Sequence, residues 1–220
     1  EVPYVLDLLS GNAFDTIYHE HLSYVSVRAM HAALAGSGLI VKDILRFALH
    51  GGVLVFLIGR NNWCGKGDGV PMAQVVSNYI ANEDRNLSIL AWQGMQARSG
   101  VLILELQREV RSLLEQGKKI CAYGASAKST IWMNECGFTP KDICFITDAT
   151  SWKQGTLAPG SEIPIVAESH LYNGVDYAIL CAWNYRDEVL KKHQAFLDAD
   201  GKFIVPAPKL EIVGSQNQIP

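Results

Sequence analysis

The chain is 220 residues long, 49% hydrophobic and 19% charged, with 19 Lys plus Arg against 22 Asp plus Glu for a formal charge of −3. That much apolar material builds one large core or two modest ones, which excludes a disordered or collagen-like chain. The slightly acidic balance argues against a nucleic-acid partner, and no uncharged apolar run reaches the length that spans a bilayer, so no membrane partner is expected. The chain opens on Glu1 with no signal-peptide pattern after it, and is expected to be a piece of something longer.

Residues 3–10 suit a short helix, with Pro3 in its first turn. Residues 26–36 form a second helical stretch that Ser26 caps and Gly36 and Gly38 end. Two apolar runs, 39–47 and 52–60, read as neighbouring strands joined tightly at Leu49-His50-Gly51-Gly52. These elements are too few for a complete α/β domain and read as the last third of one. Residues 61–71 are polar and glycine-rich, a loop. Residues 72–116 lack proline and read as helix: Leu87, Leu90, Ala91 and Met95 repeat at helical spacing, as do Leu102, Leu106, Val110 and Leu113. Gly94 and Gly100 mark close packing or a break in that run.

The pattern then changes. Residues 119–123 are a strand, 124–126 a turn and 127–136 a helix; 143–147 is a strand closed by Asp148. A short extended segment at 163–166, a strand at 176–182, an amphipathic helix at 184–197 and a strand at 202–205 complete the series. Strands alternating with helices predict an α/β fold with a doubly wound, mostly parallel, Rossmann-like sheet. The division expected is a first part over 1–70, a helical linker over 71–116 and the doubly wound lobe over 117–220.

The five cysteines fall at 64, 121, 136, 144 and 181, with no C-x-x-C, which argues against a zinc knuckle or a thioredoxin-type pair. Cys121, Cys144 and Cys181 lie in strand-like runs, where cysteine serves as a small buried hydrophobe of a reduced, cytoplasmic protein.

Two segments carry chemistry. Ala122-x-Gly124-x-x-Ala127 sits between strand and helix and approximates a dinucleotide fingerprint, with Asp148 placed where a ribose-binding acid would stand. It reads either as a turn that meets the phosphate or sugar of a nucleotide-linked ligand, or as a tight turn with no ligand. Lys153, in the loop after the Asp148 strand, reads as a phosphate contact or as an ordinary solvated lysine. The second segment, 15–24, is DTIYHEHLSY. A histidine there suits proton transfer near neutrality, a carboxylate can orient it, and a tyrosine can donate to a developing enolate oxygen. Zinc binding and a purely structural cluster are the competing readings. The two histidines of H-E-H are too close for H-E-x-x-H, and His50 and Cys64 would have to complete a shell from afar. His31 and His193 fall in charged helical contexts and His170 near a helix start; none carries a functional expectation.

Phe14-Asp15-Thr16-Ile17-Tyr18-His19-Glu20-His21-Leu22-Ser23-Tyr24, followed by His50-Gly51-Gly52, resembles the sugar C-methyltransferases of deoxysugar biosynthesis. So do Tyr123-Gly124-Ala125-Ser126-Ala127-Lys128, Asp148, Lys153-Gln154-Gly155, Pro159-Gly160, Ile163-Pro164-Ile165, Ala182-Trp183-Asn184 and Gly201-Lys202-Phe203-Ile204-Val205-Pro206. The motifs agree in order across nearly the whole chain. They depart from the family pattern after His-Gly-Gly, where Val53, Leu54 and Val55 follow, and at Ser129 and Trp132.

The resemblance implies an S-adenosylmethionine-dependent transfer of a methyl group to a carbon beside the ketone of a nucleotide-linked 4-keto-deoxysugar. It makes His21 the general base, Glu20 its orienting or polarising partner, Tyr18 the enolate stabiliser and His50 a residue of the same cleft. It gives Gly124, Lys128, Asp148 and Lys153 to the nucleotide sugar, and no metal to this stretch. It also implies that the chain corresponds to the C-terminal portion of such an enzyme, without the zinc-binding segment and most of the methyl-donor domain. S-adenosylmethionine is then a cofactor of a full-length parent and binds this chain weakly, the isolated chain is inactive, and it self-associates or contacts a missing N-terminal half. The alternatives are a non-catalytic module for binding nucleotide sugars or for assembly, and a nicotinamide-dependent oxidoreductase using the second lobe.

Overall fold

The computed structural model describes residues 1–48, 51–60 and 72–215. His50, Cys64 and the loop expected over 61–71 lie outside the described residues. The chain divides into two compact units, Glu1–Arg98 and Ser99–Pro220.

In the first unit β1 (Val2–Pro3) leads into α1 (Val5–Ser10), and α2 (Val27–Leu34) precedes β2 (Leu39–Phe47) and β3 (Val53–Arg60). The three strands form an antiparallel sheet in the order β1-β3-β2. Ser26 caps α2, its hydroxyl accepting from Ala29 N–H at 3.0 Å. A second carboxylate cap comes from far along the chain. Glu83, on α3 (Met72–Asn86) and 2% exposed, accepts from Val27 N–H at 2.6 Å and Arg28 N–H at 3.0 Å. A buried carboxylate is tolerated there because the helix N-terminus supplies both donors and a favourable dipole.

The helical run over 72–116 breaks at Leu87–Ser88, not at either glycine. Ser88 Oγ accepts from Ala91 N–H at 3.2 Å and starts α4 (Ile89–Glu115), which runs through Gly94 and Gly100. A side-chain cap that satisfies an orphan N–H outweighs the roughly 1 kcal/mol cost of a mid-helix glycine.

The second unit is a doubly wound α/β fold. Its strands are β4 (Ile120–Tyr123), β5 (Ile146–Asp148), β6 (Ile165–Ala167), β7 (Tyr177–Leu180), β8 (Lys202–Val205) and β9 (Glu211–Val213). They lie in the order β6-β5-β4-β7-β8-β9, all parallel except β9, which pairs antiparallel with β8. The strand order reverses between β4 and β7, the place where such sheets open a crevice at their carboxyl ends. Period-2 alternation buries both faces. Cys121, Ala178, Leu180, Phe203 and Val205 pack with Val189, Leu190, Phe196 and Leu197 of α6 (Arg186–Lys192) and α7 (Gln194–Asp198). Ala122, Ile179 and Ile204 of the other face are fully buried, as are Trp132 and Met133 of α5 (Ala127–Glu135). No helix among the described residues is long and apolar enough to cross a membrane.

Candidate functional site

Two sites emerge, one in each unit. In the first, residues 14–16 form a short 3₁₀ turn, and a second turn closes with His21 N–H donating to Tyr18 O at 2.9 Å. The segment is thus neither extended nor helical, and the turn itself brings Tyr18 and His21 together, their ring centroids 4.3 Å apart. His21 Nδ1 lies 2.7 Å from Thr16 O. A carbonyl only accepts, so Nδ1 carries a proton, and in the neutral ring the lone pair is on Nε2. Tyr24 Oη donates to the same carbonyl at 3.1 Å. Burial, then Glu20 and Asp15, raise the Tyr18 phenol above its usual pKa, which keeps its O–H as a donor. Glu20 is exposed and makes no hydrogen bond with His21 among the described residues, so the group orienting His21 is the Thr16 carbonyl.

The glycines after His50 pack against the base of this turn. A Cβ on Gly51, at φ +97°, would stand 3.3 Å from Ala13 Cβ, and one on Gly52, at φ +112°, would stand 2.3 Å from Asp7 Cβ. Ala13 O in turn accepts from Thr16 N–H at 3.0 Å and Thr16 Oγ1 at 2.7 Å. Gly51, Gly52 and the turn whose carbonyl orients His21 therefore share one packed corner. Asp7 of that corner is held by Arg46, whose Nε donates to it at 3.1 Å.

In the second unit Gly124 ends β4 at φ +85°, donating N–H to Thr147 O at 2.7 Å, and a Cβ on it would meet open space. Asp148 sits beside the turn. Its Oδ2 accepts from Ala125 N–H and its Oδ1 from Thr150 N–H, both at 2.8 Å. Burial opposes ionisation, but these N–H donors and Lys153 outweigh it and hold the carboxyl below its usual range. Lys153 Nζ donates to Ala125 O at 2.8 Å and lies 3.5 Å from Asp148 Oδ2. Gly124, Asp148 and Lys153 thus form one tied loop pair. Lys128, in the first turn of α5, instead places its Nζ 5.1 Å from the centroid of the Trp183 ring.

On one face of the same sheet the structure assembles a group that residue-by-residue reading overlooks. His193, read above as an unremarkable helical residue, is 3% exposed. Its Nε2 lies 2.9 Å from Tyr123 Oη and its Nδ1 2.8 Å from Tyr172 Oη. Tyr123 Oη donates to Glu168, which also accepts from Lys192 Nζ at 2.7 Å and 2.9 Å. The directions are consistent with a neutral imidazole: Tyr172 donates to Nδ1, Nε2–H to Tyr123, and Tyr123 to the carboxylate. Burial lowers the His193 pKa, with Glu168 acting against it. No spacing announces this network, whose members lie up to 70 residues apart.

The family profile of the C-methyltransferase C-terminal domain matches residues 48–208. The chain belongs to the C-methyltransferase family. The C-methyltransferase NovU of Streptomyces niveus is 33% identical to it over 223 residues, an alignment that takes in 100% of this chain and 52% of NovU. The chain therefore spans about half the length of that relative. The C-methyltransferase domain match contains the His-Gly-Gly corner, the Gly124 turn and the parallel strands, and ends just before β9. Tyr18, Glu20 and His21 precede it and fall within the stretch shared with NovU.

Proposed function

We propose that this chain is the C-terminal part of an S-adenosylmethionine-dependent C-methyltransferase acting on a nucleotide-linked 4-keto-deoxysugar. In this reading residues 1–70 are the tail of the catalytic domain, 71–116 a helical linker and 117–220 the lobe that holds the nucleotide sugar. The observation that carries it is the bond from His21 Nδ1 to the Thr16 carbonyl at 2.7 Å, which leaves Nε2 as a base beside the Tyr18 phenol.

The chemistry follows from those two groups. His21 Nε2 takes the proton from the carbon next to the ketone and becomes an imidazolium, and the bonding pair moves onto the ketone oxygen. Tyr18 donates its O–H to that developing enolate oxygen, and the family resemblance gives His50 to the same reaction. Glu20 adds negative charge near the imidazolium that forms. S-adenosylmethionine supplies an electrophilic methyl carbon when bound. In this reading the donor binds the part of a full-length parent that lies outside this chain's match to NovU. Isolated, the chain binds nucleotide sugar without turning it over and contacts a further half or a second copy.

In the second unit, Gly124 leaves open space at the end of β4 for a phosphate, with Lys128 as the nearby cation and Lys153 and Asp148 shaping the turn. In this reading the protein works in a reducing, cytoplasmic setting, where cysteines such as Cys121, Cys136 and Cys144 stay thiols.

The test is mass spectrometry of a full-length parent given S-adenosylmethionine and a nucleotide-linked 4-keto-deoxysugar. Gain of one methyl group on the sugar is expected; no methylation of any such sugar rejects the reading. Native mass spectrometry of the 220-residue chain should show the nucleotide sugar bound and S-adenosylmethionine not bound.

A further inference from the structure

The turn that carries Tyr18 and His21 is tied at one point. Thr16 O accepts two hydrogen bonds, from His21 Nδ1 at 2.7 Å and from Tyr24 Oη at 3.1 Å. A carbonyl oxygen has two lone pairs, so side chains of this one segment occupy both. Burial raises the Tyr24 phenol above its usual pKa, and the Tyr18 backbone N–H, donating to its oxygen, acts against that. The Tyr24 hydroxyl thus joins the carbonyl that orients His21 to the backbone of Tyr18.

The rings pack in the same arrangement. Tyr24 meets the His21 ring edge-on, with centroids 6.4 Å apart and planes at 87°, while the Tyr18 ring lies 4.3 Å from His21 at a tilt of 34°. Tyr24 is itself anchored. It packs half-buried against the hydrophobic core of the first unit. The next residue, Val25, donates N–H to Pro3 O at 3.3 Å and accepts from Val5 N–H at 3.2 Å, and Ser26 then caps α2. Only Leu22 and Ser23, both exposed, separate His21 from this anchor.

We propose that Tyr24 is a positioning residue of the methyl transfer, whose hydroxyl holds the Thr16 carbonyl and the Tyr18 backbone in the register that keeps a proton on His21 Nδ1. The inference rests on the reading of His21 as the general base, and it adds what keeps that base in place. Tyr24 acts through Thr16 and Tyr18 and does not touch the reacting atoms. Without its hydroxyl the second lone pair of Thr16 O goes to water, and the imidazole gains freedom to turn and to carry its proton on Nε2 instead. A base displaced by about 1 Å can cost about 10²-fold in rate.

Tyr24→Phe keeps the ring and its packing and deletes only the hydroxyl. Heteronuclear NMR of the 220-residue chain carrying labelled histidine reads which nitrogen of His21 holds the proton, with His21→Asn assigning the signal. At about pH 8.5, above the ordinary imidazole range, the native chain should show Nδ1–H and the variant a several-fold larger share of Nε2–H. In a full-length parent, Tyr24→Phe should slow exchange of the proton beside the substrate ketone into D2O by about 10–10²-fold, with KM for the sugar within about twofold. A retained KM also shows the variant to be folded. An unchanged tautomer, an undiminished exchange rate, or a loss carried entirely by KM overturns the positioning role and leaves His21 as the base. A native parent that exchanges no such proton, or a His21→Asn variant that exchanges it as fast as the native enzyme, rejects the base reading and the positioning role with it.

Discussion

His21 Nδ1 and the carbonyl oxygen of Thr16 lie 2.7 Å apart, a hydrogen bond that fixes the ring's tautomer with a backbone atom. Because the partner is backbone, no side-chain substitution at residue 16 removes it directly, and the tautomer is set by how the chain turns.

Substitution of His21 by Asn places an N–H where Nδ1 stood while removing Nε2. In a full-length parent, His21→Asn should slow exchange of the proton beside the substrate ketone into D2O by about 10²–10⁴-fold, the usual contribution of a positioned base. Thermal stability should hardly change. Proton NMR of the keto-sugar in D2O reads the exchange without any methyl donor. Undiminished exchange in the variant would remove His21 from the role of base.

Gly52→Ala should destabilise the first unit. The new Cβ would stand 2.3 Å from Asp7 Cβ at a backbone φ of +112°, so both strain and overlap oppose it. Together these cost on the order of 1–3 kcal/mol, and the Asp7–Arg46 pair must shift to relieve them. Urea unfolding of the variant beside a Gly36→Ala control measures the difference. At Gly36 the φ is also positive, but the added Cβ meets nothing within 4 Å. Equal losses at both positions would show that overlap at Gly52 contributes nothing.

Asp148→Asn should loosen the Gly124 turn. Each carboxylate oxygen accepts a backbone N–H, from Ala125 and from Thr150, so an amide nitrogen on either side faces another donor. A lost hydrogen bond with an unpaired donor costs about 1–3 kcal/mol. Calorimetry of the variant should show a lowered transition for the second unit. An unchanged transition would mean that Asp148 does not pin the turn.

His193 makes stability depend on pH in a defined window. Its folded pKa lies below the ordinary 6.5 because burial disfavours the charged ring, while Glu168 pulls the other way. The unfolded chain then binds more protons than the folded one, so the stabilisation is full above pH 6.5 and declines as pH falls below it. The groups facing the ring are Glu168 and Tyr172 from the turn after β6, Tyr123 from β4 and Lys192 beside it. Glu168, whose pKa is lowered from 4.5, adds its own loss only at more acid pH. Denaturant midpoints followed between about pH 7.5 and pH 5 should fall for the native chain and fall less for His193→Gln. Identical slopes would separate His193 from the effect.

What was legible in the sequence was what is local. The strand-turn-helix at 119–136, the Ser26 cap and the paired strands at 39–47 and 52–60 follow from periodicity and capping chemistry within a few residues of one another. The three-residue β9 is too short for any periodicity to mark, and the break at Ser88 depends on one side-chain cap that the neighbouring glycines outshine in the sequence. The clustering of Tyr18, His21 and Thr16 was half legible. The residue types announced proton chemistry, but whether the segment was extended, helical or turned decided who orients the imidazole.

The sequence by itself determined the fold class and the positions of the chemistry-bearing motifs, since hydrophobic alternation and turn residues act over short stretches of chain. Only the tertiary structure decided that His193 is buried against Tyr123, that Asp148 spends its oxygens on its own turn, and that Trp183, Arg186 and Glu211 wall one cavity. Each of those facts is a contact or hydrogen bond between residues up to 70 positions apart, made when strands pair and helices pack across them. No local pattern encodes such a partner, because the same side chain in solvent would have followed the same pattern.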